Sequence, residues 1–258
     1  MSGSLFGAYI NPLKFFAVED HGNDANIPTP AEILDFVIAP GTDGSPEAIA
    51  SRCRELVAQA PGIFAAPSEP HILQKLIWPL RHAKGSYALG NFLGTIALAG
   101  MVSEMVAITY FDATDFSING TPMDDRAQRD VWGNTFEKQG QDRRVKILHA
   151  YGVIDDSTKA AFDDIRVVRR RYLHLASQGH ETLDADARKA FVRALELVVR
   201  LVGQGFNQGS IVLSPVMTKY LNDRGLLKSR SSAEEPEPVD DSSAEGSPGD
   251  GKNDEQSQ

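Results

Sequence analysis

Four arginines and a histidine crowd into one short run, Arg166-Val167-Val168-Arg169-Arg170-Arg171-Tyr172-Leu173-His174. Guanidinium groups packed this closely repel one another unless an anion neutralises them. Phosphate is the anion that the planar guanidinium fork suits best. Arg166, Arg170 and His174 are spaced i, i+4, i+8, so they fall on one slowly drifting helical stripe. An imidazole beside bound phosphate is a proton-transfer group near neutral pH. The local alternative is a solvated basic face, with Asp163 or Asp164 as intrahelical partners.

Other chemistries find little support in the sequence. The six histidines, His21, His71, His82, His149, His174 and His180, include no pair at i, i+4. His174 and His180 are separated by a loop at Gly179, and no H-E-x-x-H or C-x-x-C occurs, so no metal site is expected. The single cysteine, Cys53, rules out an internal disulfide framework and a Cys-cluster zinc site. The glycine-rich phosphate and dinucleotide loops and Gly-x-Ser-x-Gly are absent. The paired acids Asp163-Asp164 are accounted for by their position in the first half of a helix.

The elements that must position the basic run are helical. Ser45-Pro46-Glu47 reads as an N-cap, a proline at the first helical position and an acid in the first turn, opening a helix to about Ala60. A second helix starts near His71, and Pro79 inside it is expected to bend or end it. Arg81 to Phe111 is the most core-like segment. There the small residues Gly90, Gly94, Ala97 and Gly100 would let another helix approach closely. Asp112–Gly120 reads as a loop and Thr121-Pro122 as the next cap pair. The helix that follows carries Val131, Trp132 and Phe136, with an interruption expected at Gly140. Val145, Leu148 and Tyr151 continue a helical face to a cap at Gly152. Asp155-Asp156-Ser157 opens the helix of the basic run. Its apolar face is Phe162, Ile165, Val168, Tyr172 and Leu175. A last long helix begins at Thr182–Asp186 and buries Ala190, Phe191, Ala194, Leu197, Val198 and Leu201. No β alternation is long enough to count. The expected architecture is an all-α bundle with an irregular N-terminal arm.

The formal charge of −9 is unevenly placed. From Ser231 to Gln258 nine acids face one base, Lys252, so almost all of the excess lies there and the rest of the chain is nearly neutral. That segment has too little apolar surface to offset its ordering entropy and is expected to be disordered. It reads as a solubilising tail, or as one that competes with nucleic acid for a basic face. The stretch Phe92–Phe111 is mostly apolar, but Glu104 sits well inside it. A mid-bilayer carboxylate costs roughly 2.5–3.5 kcal/mol, so a buried bundle helix is expected and no membrane partner. The N-terminus lacks a basic n-region, and Gly3 is not placed for myristoylation, so a cytoplasmic location is expected.

The order of these features resembles the HEPN superfamily (higher eukaryotes and prokaryotes nucleotide-binding). Arg169-Arg170-Arg171-Tyr172-Leu173-His174 fits its Arg-x4-His signature. Phe162–Arg166 is similar to the apolar and basic lead-in, and Lys146–Ile154 to the upstream helix and turn. Gly90–Tyr110 with Glu104 resembles the earlier paired-helix core, and Arg188–Val202 closes the bundle. The resemblance covers about residues 70–203. It divides the chain into a partly helical arm (1–65), the HEPN-like bundle (66–205), a short extension (206–230) and the acidic tail (231–258).

The resemblance implies a metal-independent endoribonuclease with no cofactor. The RNA 2′-hydroxyl attacks the adjacent phosphate, with Arg169 and His174 catalytic and Arg166, Arg170 and Arg171 binding phosphate or RNA. Five residues separate Arg169 from His174, about 140° around a helix, so the two side chains do not meet easily within one straight helix. The resemblance implies a homodimer with two motifs facing a shared cleft. Glu104 either pairs with a motif arginine and fixes its rotamer or is a satisfied core carboxylate. A cognate regulatory protein is implied if the chain is a toxin. Many members have Asn after the motif Arg where this chain has Arg170. That departure leaves a non-catalytic HEPN-like protein that binds RNA or another partner as an alternative, and beyond it a helical dimerisation or interaction domain whose arginines are a solvated face.

Overall fold

The computed structural model describes residues 37–39, 41–59, 69–118, 120–173, 179, 181–203, 206–207 and 210–226. His174, Leu175, His180, the first 36 residues and the acidic tail lie outside the described residues. Helix α1 (Pro46–Gln59) begins as its sequence predicts: Ser45 Oγ accepts the Ala48 N–H at 3.2 Å and Pro46 takes the first helical position. Leu56, 1% exposed, carries α1 into the main core.

The next run is α2 (Pro70–Ile72), a π-helical turn (Leu73–Ile77) and α3 (Trp78–Leu89). Glu69 caps it by accepting the Ile72 N–H at 2.7 Å. Pro79 does not end the run. It offers no N–H to the helical ladder, and the wider turn ahead of it, with Trp78 N–H donated to Leu73 O, accommodates the gap. The core-like segment 81–111 falls on two helices. Gly90 takes φ +85°, open to glycine at no steric cost, and closes α3. Asn91 then caps α4 (Phe92–Asp112), its Oδ1 accepting the Gly94 N–H at 2.9 Å.

α4 is the central helix and packs against α3 and, further along the chain, the helices over 141–150, 156–173 and 183–202. It buries Phe92, Ile96, Ala99, Val102 and Val106. Among the described residues it alone is long and apolar enough to cross a membrane, and 56% of its apolar window is buried inside the fold. A core helix of a bundle has that character.

Thr121-Pro122 is not a helix cap. It forms β2 (Thr121–Pro122), paired antiparallel with β1 (Ser117–Ile118). The cap moves to Asp124, which accepts the Ala127 N–H at 2.8 Å and opens α5 (Asp125–Trp132). Gly133 stops α5, so Phe136 lies outside it on a 3-10 turn (Phe136–Lys138), ahead of α6 (Gln141–Ala150). Aromatic contacts fasten this region to the end of α4. Phe111 stacks on Phe136 at 4.1 Å and on Phe116 at 4.6 Å, with Trp132 edge-on to all three.

The basic run sits on α7 (Asp156–Leu173), which buries Phe162, Ile165 and Val168 as predicted. α8 (Leu183–Val202) buries its whole predicted stripe and packs on α4 and α7. A second hairpin, β3 (Phe206–Asn207) with β4 (Ser210–Ile211), leads to α9 (Pro215–Asp223). Met217, Tyr220 and Leu221 of α9 join the core. The two short hairpins are the only strands among the described residues, and the architecture is all-α.

Asp155 caps α7 by accepting the Thr158 N–H at 2.7 Å and the Ser157 hydroxyl at 3.0 Å. Hydrogen bonds from Thr158, then Ser157, hold its carboxyl down to about 2. A carboxyl depressed in the folded state stabilises above its unfolded pKa and loses that contribution as pH falls through the folded one. Asp155→Asn is therefore expected to flatten the acid side of the stability profile between pH ~4 and pH ~2. Urea midpoints measured across that range check it; an unchanged slope would show that the cap is not coupled to folding.

Candidate functional site

Helix α7 lies between α6 and α8 and crosses α4, so its successive turns face three different neighbours. The four arginines diverge accordingly. Arg169 faces α4, where its Nη1 donates to Glu104 Oε1. Its stem lies against Gly100: a Cβ there would come within 2.7 Å of Arg169 Cδ and 3.1 Å of Nε. The small-residue run of α4 thus admits an arginine side chain at Gly100. The Arg169 and Glu104 side chains are 34% and 31% exposed. Solvent screens such a pair, which contributes about 0.5–1 kcal/mol to stability. Its larger effect is to hold the guanidinium in one rotamer.

Arg166 pairs with Asp163 on its own helix at 3.2 Å and with Asp142 of α6 at 3.5 Å. Arg171 turns toward α8 and meets Asp186 at 2.6 Å. The same Asp186 carboxylate accepts the Tyr172 hydroxyl at 2.7 Å and the Thr182 hydroxyl at 3.0 Å. Arg170 is exposed and has no ion-pair partner among the described residues. Three of the four guanidiniums are therefore compensated by the protein's own carboxylates, so the run does not require an external anion to relieve its repulsion. Among the described residues, the positive charge left open on α7 is Arg170. Asp164, a partner expected from local spacing, turns instead to Lys189 and Arg193 of α8 at 2.8 and 2.9 Å. The Nε groups of Arg166 and Arg169 are buried with no hydrogen-bond partner among the described residues.

Around Glu104 the structure adds groups that local spacing does not reveal. Gln141 Nε2 donates to Ser103 O at 3.2 Å and Ser103 Oγ at 3.1 Å, pinning α6 to α4. Arg144 is buried and donates through Nε to Phe136 O at 3.2 Å and through Nη2 to Glu137 O. Burial pushes the Arg144 guanidinium below its ordinary pKa, and Glu104 and Glu137 offset part of that. Glu104 thus serves two arginines, one by contact and one through the field.

Among the described residues no three His, Cys, Asp or Glu side chains gather into a metal-binding cluster. The motif histidine, His174, lies outside the described residues.

The chain matches no family model, no curated protein and no solved structure. What the site can do follows from its own side chains. A guanidinium locked by a carboxylate and a glycine slot, and one-third open to solvent, can stabilise charge on a phosphoryl oxygen without reorganising. Arg170, next in the sequence and exposed, adds positive potential to the solvent side of α7.

Proposed function

We propose that the protein is an HEPN-like RNA-binding protein that cleaves RNA without a metal, through Arg169 and His174 at a cleft shared with a second copy of the chain. The observation that carries this reading is the placement of Arg169, fixed by Glu104 over Gly100 and reachable from solvent. In the proposed reaction His174 takes the proton from an RNA 2′-hydroxyl, and the 2′-oxygen attacks the adjacent phosphorus. Arg169 stabilises the charge that builds on the non-bridging oxygens. The 5′-oxygen leaves with a proton from solvent, giving a 2′,3′-cyclic phosphate and a free 5′-hydroxyl.

The internal pairing of Arg166 with Asp142 and Asp163, and of Arg171 with Asp186, favours a second reading. In it the same helix is a non-catalytic, HEPN-like interaction surface. Full-length protein incubated with mixed RNA in EDTA separates the two. Cleavage that leaves cyclic phosphate ends, and that falls at least a hundredfold in both His174→Ala and Arg169→Ala, supports the first. Wild type as inert as the variants leaves only the second.

A further inference from the structure

A different helical face carries positive charge that no carboxylate answers among the described residues. Between Glu69 and Glu104 the chain has no Asp or Glu, yet it has Lys75, Arg81, Lys84 and two histidines. Gln74, Lys75, Trp78, Arg81 and His82 are all exposed. Their spacing of three and four places them on one face of the run from the π turn into α3. Lys75, Arg81 and His82 form no ion pair among the described residues. The contrast with α7 is direct, since Arg166, Arg169 and Arg171 are each paired there.

Trp78 stands in the middle of this face, 50% exposed. Its backbone is held on both sides: Trp78 N–H donates to Leu73 O, and Leu76, Pro79 and Leu80 anchor the opposite side in the core. The indole is therefore presented on a rigid support. Lys75 and Arg81 lie three residues to either side, about 9 Å apart along the helix axis. A flat aromatic ring flanked by cations at that spacing suits a polyanion with free π faces. A duplex keeps its bases stacked on one another and has none to offer the indole. A bilayer would need an apolar face, and here one ring is surrounded by Gln74, Lys75, Arg81 and His82.

We propose that the Gln74–His82 face binds single-stranded RNA without regard to sequence. Trp78 stacks on a base, and Lys75, Arg81 and His82 take the flanking phosphates. This strip lies on the run from the π turn into α3, whereas Arg169 lies on α7, and its binding does not depend on cleavage.

The test uses full-length protein at low salt and a twelve-residue oligouridylate with 2′-O-methyl riboses, which lack the hydroxyl that the proposed cleavage needs. Trp132, the other tryptophan, is 8% exposed, so the fluorescence that responds belongs to Trp78. Oligouridylate is expected to quench emission in wild type and in His174→Ala, and to leave Trp78→Leu unquenched. By anisotropy, Trp78→Ala weakens binding roughly 5- to 150-fold. Lys75→Gln with Arg81→Gln lowers the salt slope of the binding constant by about 1.4. Unchanged affinity in Trp78→Ala, or no quenching in wild type, overturns the proposal. So does a blue shift with phosphatidylserine vesicles but no response to oligouridylate, which would make the face a lipid-binding one. Loss of cleavage in His174→Ala with the quench intact separates this strip from the reacting site.

Discussion

Gly100→Ala is expected to leave the bundle as stable as wild type or up to about 1 kcal/mol more stable, and to slow the proposed RNA cleavage ten- to a hundredfold. The two halves have different physical sources. Glycine in a helix interior is about 1 kcal/mol less favourable than alanine, so the substitution removes a local cost. The new Cβ would lie 2.7 Å from Arg169 Cδ, closer than carbon atoms tolerate. The arginine is flexible and moves away, which costs the fold little. It cannot move and also keep the Glu104 oxygen in the same geometry. A displacement near 1 Å of a charge-stabilising group can cost about 10²-fold in rate. Denaturant midpoints and cleavage rates measured on one preparation check both halves. Full activity in a stabilised Gly100→Ala would mean that Arg169 is not the group that stabilises the reacting phosphate.

Arg144→Met is expected to destabilise the protein by about 3 kcal/mol, the largest effect on stability anticipated for a polar side chain here. Arg144 is 8% exposed and serves the carbonyls of Phe136 and Glu137 on the 3-10 turn. A hydrogen bond to a charged group contributes about 1.5–3 kcal/mol, and methionine would leave these acceptors without their donor. The turn they belong to carries Phe136, fully buried and stacked on Phe111. A loss of this size lowers the melting temperature by roughly 6–12 °C in a chain of this length. Arg144→Lys is expected to recover less than half, because an ammonium lacks the fork that reaches two carbonyls at once. A midpoint within 1 °C of wild type for the methionine variant would show that water takes over both acceptors.

Where chemistry and local geometry agree, the elements were legible in the sequence. Ser45 and Asp155 cap the helices they were expected to cap. The buried stripes of α7 and α8 follow their three- and four-residue spacing. The break at Gly90-Asn91 was hidden because apolar periodicity continues across it, although a glycine followed by a capping Asn is itself a stop and start signal. Thr121-Pro122 misled because a cap pair and an edge strand use the same residue types, and the stronger cap, Asp124, lies two residues on. At Pro79, where a bend or an end was expected, a π turn directly ahead of the proline lets the run continue.

The candidate site was legible in its residue types and not in its compensation. Arg169 and Glu104 stood out from the sequence. Asp142 and Asp186, which answer Arg166 and Arg171, come from α6 and α8, and no spacing along α7 could name them. Gln128 is a similar case: its amide bridges Met123 O and the Phe136 N–H at 3.0 and 2.8 Å and makes sense only once the hairpin and the 3-10 turn are in place.

The aromatic cluster at the end of α4 has an optical consequence. Trp132 sits edge-on to Phe111, Phe116, Phe136 and Tyr151, an asymmetric arrangement of coupled transition dipoles. The near-ultraviolet dichroism of the folded chain should come mainly from that indole, while Trp78, half in solvent, supplies a red-shifted emission with little dichroism. One cuvette therefore holds two reporters, one for closure of the α4–α6 corner and one for the α3 surface, without a label on either.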